Sequence, residues 1–332
     1  MTKTNCLVPL YRLDGELFRR TAHIVGSSGV IEMVEKWRTA DGLADPSRGG
    51  RPRIVPLRAA LIVMLVLGIQ DSPQHVTRGR DILCEQTTRK AWELLGISTD
   101  LYGSRNDDKE YQRWYSRLWE SVHTVLDVVD PFPELSYTTR YTPDEYKEIE
   151  ATRDLKMVLV RKARATSFAN ALIMASTKLL GGKNIAQWDG SVVVDGTPLP
   201  VSTRGRGKTH AAPTPTAGWY TRRGDHKATD DDPDKVFWAF EASLAAMVGE
   251  KFGAEGNFPS LITGMSLDVP GADPSGNALD ALDHLIHDPK APKGYFIGDR
   301  VYLPQARADR LQIPLCKAGY SLVGDLKKTP TV

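Results

Sequence analysis

The stretch SVVVDGTPLPVS, Ser191 to Ser202, decides how the chain is read. Three β-branched residues in a row, Val192 to Val194, suit a central strand covered on both faces, and Gly196 with Pro198 then breaks the regularity. Asp195 is thereby delivered to the end of a buried strand. An ionised carboxylate in such a place is costly to desolvate unless something compensates it. A bound divalent cation is the usual compensation; a turn aspartate capping the strand end is the plainer alternative.

A second copy of the arrangement turns the reading towards the metal. In KGYFIGDRVYLPQ, Lys293 to Gln305, the apolar run Tyr295, Phe296 and Ile297 ends at Gly298 and Asp299. Neighbouring parallel strands bring such ends close together however far apart they lie in sequence. Hard cations such as Mg2+ or Mn2+ bind through one or two carboxylates, completed by water and substrate phosphate. In pairs they serve phosphoryl transfer, activating the attacking oxygen and stabilising the leaving one.

The rest of the chain sets the bounds. A length of 332 residues suffices for two domains with cores. The net charge of +2 means that nucleic-acid binding has to rest on local basic patches rather than a global field. Cys6, Cys84 and Cys316 are too widely spaced for a zinc motif or a disulfide framework, so a reducing, cytoplasmic setting is expected. The N-terminus lacks the apolar core of a signal peptide. The longest apolar run, Ala59 to Ile69, is too short to span a bilayer, and no membrane partner is expected.

The front of the chain reads as helical. Helices are expected from Asp14 to His23 and Val30 to Thr39, then from Pro56 to Ile69, from Pro73 to about Cys84, and from Gln86 to Leu95 before Gly96. Arg78 and Arg80 on the fourth leave open a helix-turn-helix reading or a plain bundle with solvated arginines. From Asp107 a long amphipathic helix carries Trp114, Leu118, Val125 and other apolar residues at three-four spacing, a stripe read as core packing, and stops at Asp130-Pro131. Further helices begin at Pro143 and close at Gly181-Gly182. The connector DPSRGGRPRIVPL, 45–57, is basic: it is either a phosphate-contacting arm, through Arg51 and Arg53, or a solvated linker.

Beyond residue 182 the pattern becomes strand-rich. After Asp195 comes an irregular basic loop with Arg204, Arg206, Arg222 and Arg223, placed either to hold a phosphate backbone or as a charge-balanced surface. Val236 to Val248 reads as strand or helix, Ser260 to Leu267 as strand and Asn277 to Ile286 as helix. The Asp299 strand, a helix from Gln305 to Leu311 and a last strand within IPLCKAGYSLVGDLKK follow. This is the element order of a ribonuclease-H-like core. The expected fold is α+β: an N-terminal helical region, 1–182, then an incomplete ribonuclease-H-like α/β core with a mixed sheet, 183–332.

VVVDGTPLPV, GYFIGDRVY, the variable loop after the first aspartate and a helical front opened by GGRPR together resemble the DDE-type transposases of bacterial insertion sequences. The resemblance covers Ser191 to Lys328, and the helical front more loosely. It implies metal-dependent DNA strand cleavage and transfer at transposon ends. Mg2+ or Mn2+ would be the cofactor, terminal inverted repeats and target DNA the partners, and a homodimer on DNA the working form. Asp195 and Asp299 match the first two acids of the family's triad, and Arg300 and Tyr302 match positions beside the second. The third acid, a glutamate on a helix after the last core strand, has no counterpart: the last acidic residue, Asp325, comes too early. The expectation is a C-terminally truncated transposase, impaired in chemistry, or alternatively an inactive DNA-binding regulator or remnant.

Overall fold

The computed structural model describes residues 15–44, 53–179, 185–203, 205–207, 209–222, 235–249, 260–303 and 306–324, with the backbone alone at 105, 222 and 235. Arg51, Arg204, Arg223, Asp325, Cys6 and most of the basic connector lie outside them. The chain divides into two compact units, Met1–Val129 and Asp130–Val332.

Among the described residues the first unit is helical: Gly15–Ser28 (α1), Val30–Ala40 (α2), Leu57–Ile69 (α3), Val76–Asp81 (α4), Arg89–Leu95 (α5) and Asp108–Val129 (α6). α3 has almost no polar residue and is buried on most sides, through Leu57, Ala59, Ala60, Ile62, Val63, Val66 and Leu67. α6 turns Trp114, Leu118, Val125 and Val128 inward, whereas Trp119 and Leu126, also counted in the core stripe, are exposed, so the stripe is core only in part. α4 starts later than Pro73 because the residues before it close a turn, with the Ser72 amide on Leu67 O at 2.9 Å and the His75 amide on Pro73 O at 2.8 Å. A π-helical turn, Ile82–Gln86, follows α4, and α5 then begins only after its cap, Thr88.

The second unit is α+β with a mixed sheet. Helix Pro143–Ala151 (α7) opens on a capping box between Thr142 and Glu145, and Leu155–Lys178 (α8) on Asp154, whose carboxylate accepts the Lys156 and Met157 amides. Then come Val192–Pro200 (β1), Gly218–Arg222 (β2), Lys235–Met247 (β3), Ile262–Asp268 (β4), Pro274–Ile286 (α9), Tyr295–Gly298 (β5), Gln312–Lys317 (α10) and Ser321–Gly324 (β6). The sheet runs β2-β3-β1-β5-β6, with β4 also paired to β3. β1 is antiparallel to β3 and parallel to β5, which is parallel to β6. Val192, Val194, Ala245, Met247 and Phe296 pack beneath Ala278, Ala281, Leu282 and Leu285 of α9 and Leu315 of α10.

The start of β1 is clamped to the start of β5. Ser191 is fully buried, and its Oγ accepts the Tyr295 amide at 2.9 Å while its carbonyl accepts Trp188 Nε1 at 2.8 Å. The free edge of β4 is covered by α8 through three spaced bonds. Thr177 Oγ1 donates to Ile262 O at 3.4 Å, Asn170 Oδ1 accepts the Met265 amide at 2.7 Å, and Lys162 Nζ reaches Asp268 at 3.2 Å. Helices α7 and α8 therefore belong with the sheet, and the division falls at Asp130 rather than near residue 182.

Two readings of the strand region change. Lys235–Met247 is strand and not helix, because it pairs along both edges and its alanines sit in the sheet interior. Among the described residues, 306–311 lie in turns where a helix from Gln305 to Leu311 was expected; the last strand does lie within IPLCKAGYSLVGDLKK, as Ser321–Gly324, with IPLCK before it in α10. The helix buries Leu315 and is ended by Gly319 at φ 101, with the Tyr320 amide on Leu315 O at 3.0 Å.

His284 of α9 lies against β4, where a Cβ on Gly264 would stand 2.7 Å from its Cε1. Its ring nitrogens are buried and, among the described residues, make no hydrogen bond of ordinary geometry. Burial lowers its pKa, against the opposing pull of Asp283, the Thr263 backbone and Asp288. The folded state thus favours the neutral ring, and stability present above the ordinary imidazole range is lost as pH falls through it. Urea midpoints measured between pH 7 and pH 5 should fall, and the fall should flatten in His284→Leu. Ser191→Ala leaves the Tyr295 amide without its acceptor and should cost about 1–3 kcal/mol in urea unfolding at pH 7.

Candidate functional site

The clamp at Ser191 sets what stands at the other end of the two strands. Val192, Val193 and Val194 pair with Phe296, Ile297 and Gly298, so Asp195 and Asp299 are neighbours where the β1–β5 pairing stops; β1 itself runs on through Asp195 to Pro200 against β3, so Asp195 stands within a strand and not at the strand end expected from Gly196 and Pro198. Their backbones are about 5 Å apart by ordinary strand spacing. By alternation both side chains share one sheet face with Val193 and Ile297. Both are exposed. Asp195 Oδ1 accepts the Gly196 amide at 2.8 Å and Asp299 Oδ1 the Val301 amide at 2.9 Å, and no hydrogen bond to either Oδ2 occurs among the described residues.

The two aspartates open into a groove of about 960 Å³, also lined by Gly196, Pro198, Tyr220, Glu241 and Tyr302. Glu241 is the residue that sequence reasoning missed. It is the one carboxylate in KVFWAFEASLAAM, a run otherwise apolar or small after its first lysine, and that isolation was a readable signal once the segment was known to be a strand. Its Oε2 accepts the Gly271 amide at 2.7 Å. A Cβ on Gly196 would stand 2.8 Å from its Oε1 and 3.5 Å from the Tyr302 hydroxyl.

Tyr302 links the two motif pieces. A Cβ on Gly298 would stand 2.9 Å from Tyr302 Cβ and 3.0 Å from Phe296 Cε1, so the tyrosine passes over Gly298 and brings its hydroxyl near Gly196. Burial pushes its pKa up to about 12, and Glu241, Asp195 and Asp299 add to the rise. The phenol therefore stays protonated at neutral pH. At 3% exposure it forms part of the wall of the groove.

Of the other basic residues named from the sequence, Arg300 is exposed beside Asp299, and Arg206 is exposed on the loop after β1. Arg222 ends β2, its side chain outside the described residues. Arg53 is exposed in the first unit. Among the described residues, no group of three or more His, Cys, Asp or Glu side chains is close enough to hold a metal ion. Asp195 and Asp299 offer the donor chemistry of a two-carboxylate hard-cation site, one that draws its remaining ligands from water and substrate.

Gly298→Ala forces a Cβ against the Tyr302 side chain and should cost about 1–3 kcal/mol in denaturant unfolding. In a Tyr302→Gly background, which removes the Cβ that the new methyl meets, that cost should shrink, a coupling that a double-mutant cycle measures directly. In comparisons with known proteins, the chain matches no family model, no curated protein and no solved structure.

Proposed function

We propose that this protein is a metal-dependent polynucleotidyl transferase of the DDE-transposase kind, with the neighbouring pair Asp195 and Asp299 at its reactive centre. The observation that carries the reading is the β1–β5 register, in which two acidic motif residues about a hundred positions apart come out side by side, on one face and at one groove. The strand order adds support. Three antiparallel strands, β4-β3-β1, followed on the other side of β1 by β5 and β6 parallel to it, with a helix before each, are compatible with a ribonuclease-H-like core.

Asp195 and Asp299 would hold Mg2+ or Mn2+, which when bound supplies charge for the attacking and leaving oxygens of a phosphodiester. The chain's own groups do the rest. The turn amides of Gly196 and Val301 each hold one oxygen of an aspartate, fixing the carboxylates before substrate arrives. Arg300, next to Asp299, is suited to a phosphate oxygen. DNA is the proposed substrate, with transposon ends and target as its two forms and a homodimer as the working assembly.

A second reading is favoured by the donor count. With no third carboxylate gathered onto the pair among the described residues, the chain binds DNA ends without cutting them and acts as a regulator. One experiment separates the two. Purified protein is incubated with supercoiled DNA and with its element's ends, in Mg2+, in Mn2+ and in EDTA. The enzyme reading expects nicking that needs the metal and falls roughly a hundredfold or more in Asp195→Asn and Asp299→Asn, the size of effect seen when one preorganised charge stabiliser is removed. End-specific binding with no cleavage in either metal supports the regulator, and neither binding nor cleavage sinks both.

A further inference from the structure

Trp219 is presented rather than packed and, with Trp119, is one of two tryptophans that stand exposed among the described residues. It lies on β2 and is 55% exposed, although Trp92 and Trp114 in the first unit are fully buried. The indole is nonetheless held in place. Its Nε1 donates to Arg206 O at 3.3 Å, and its ring meets Trp238 edge-on with centroids 5.3 Å apart. The loop after β1 lies flat on this pair: a Cβ on Gly205 would stand 2.7 Å from Trp219 Cζ2 and 2.9 Å from Trp238 Cε3. His210 holds that loop in turn, its Nε2 3.0 Å from Gly205 O. An exposed, rotationally fixed indole is costly to leave in water and is shaped to receive another flat ring.

The sheet register says where the indole lies. Trp219 pairs with Trp238, and the Val201 amide bonds Trp238 O at 3.1 Å, so Val201, Trp238 and Trp219 form one row across three strands. Val201, the residue after β1, continues the strand's pairing with β3 and is six residues beyond Asp195, an even number, so Trp219 and Asp195 share a sheet face. Six residues along the strand and two strands across put the indole on the order of 20 Å from Asp195. That is roughly six nucleotide steps at B-form spacing.

The charge beside the indole points to the ligand. Arg206 is exposed on the loop whose carbonyl holds the indole. Basic groups that take backbone phosphates around an aromatic that takes a base are the combination used for single strands.

We infer that Trp219 is a stacking platform for an unpaired base of a DNA strand whose phosphates run past Arg206 towards Asp195. The inference rests on reading the Asp195–Asp299 groove as a nucleic-acid site. Because stacking needs no metal, it is tested apart from cleavage.

The test is fluorescence anisotropy of the full chain with a labelled oligo-dT 20-mer in EDTA, comparing wild type, Trp219→Leu and Trp219→Tyr. A stacked base is sensitive to loss of the ring and tolerant of its exchange. Trp219→Leu should weaken binding about tenfold and Trp219→Tyr by no more than about threefold. A 2-aminopurine placed in the strand should be quenched by wild type and not by Trp219→Leu. If the leucine variant does not fold, quenching by wild type and Trp219→Tyr decides the matter, and its absence overturns the platform. Leucine and wild-type proteins binding within about twofold of each other also overturn it. A wild type that binds no oligonucleotide overturns both the platform and the nucleic-acid reading. Trp219-dependent binding without Asp195-dependent cleavage leaves the platform standing and removes only the chemistry.

Discussion

One buried hydroxyl governs the second unit. Ser191 Oγ takes the Tyr295 amide, and that bond fixes the offset between β1 and β5. A slip of one residue would send Val192 and Val194 to the wrong face and Asp195 away from Asp299. The offset is held at the far end from the chemistry, four residues before each aspartate. The other end of the pairing is thus free to carry exposed carboxylates, which by themselves stabilise nothing. Valines and Phe296 in between supply the burial that makes the register cooperative.

At the open end the same pairing creates a crowding problem, and two glycines resolve it. Tyr302 has to cross Gly298 to bury its ring, and its hydroxyl then arrives where Gly196 and Glu241 meet. The two short motifs are therefore not independent. The glycine after Asp195, the glycine before Asp299 and the tyrosine three residues after Asp299 are one steric unit, contributed by two strands. The physical specificity of their combination comes from this shared packing.

Much of this was legible in sequence because it depends on local pattern. A β-branched run before a carboxylate, glycine and proline punctuation and a three-four stripe each name an element without tertiary knowledge, and Asp195, Asp299 and α6 were found that way. Lys235–Met247 was ambiguous, since alanine-rich apolar runs satisfy both periods until the partner strands decide. α10 was not foreseen because Pro314 and the β-branched Ile313 favour extended chain locally, whereas burial of Leu315 favours the helix. Glu241 stayed hidden behind the Lys235–Met247 ambiguity, for a carboxylate on a helix is ordinary and a carboxylate in a central strand is not. The exposure of Trp219 and the burial of Tyr302 are tertiary facts that no pattern of spacing carries.

The bonds from α8 to β4 make the helix a ruler laid along a strand. Thr177, Asn170 and Lys162 are separated by seven and eight residues, and the groups they meet on β4, Ile262, Met265 and Asp268, by three and three. Helical rise and strand rise make those spans nearly equal, about 10–12 Å against about 10 Å. Such a match has no tolerance for a change of length. A residue inserted between Lys162 and Thr177 turns the helix by about 100° and takes at least one of the three groups off the edge, whereas the turns before Asp154 can lengthen without disturbing the fit. Sequence drift in this chain is therefore constrained in length along α8 even at positions where the identity of the side chain matters little.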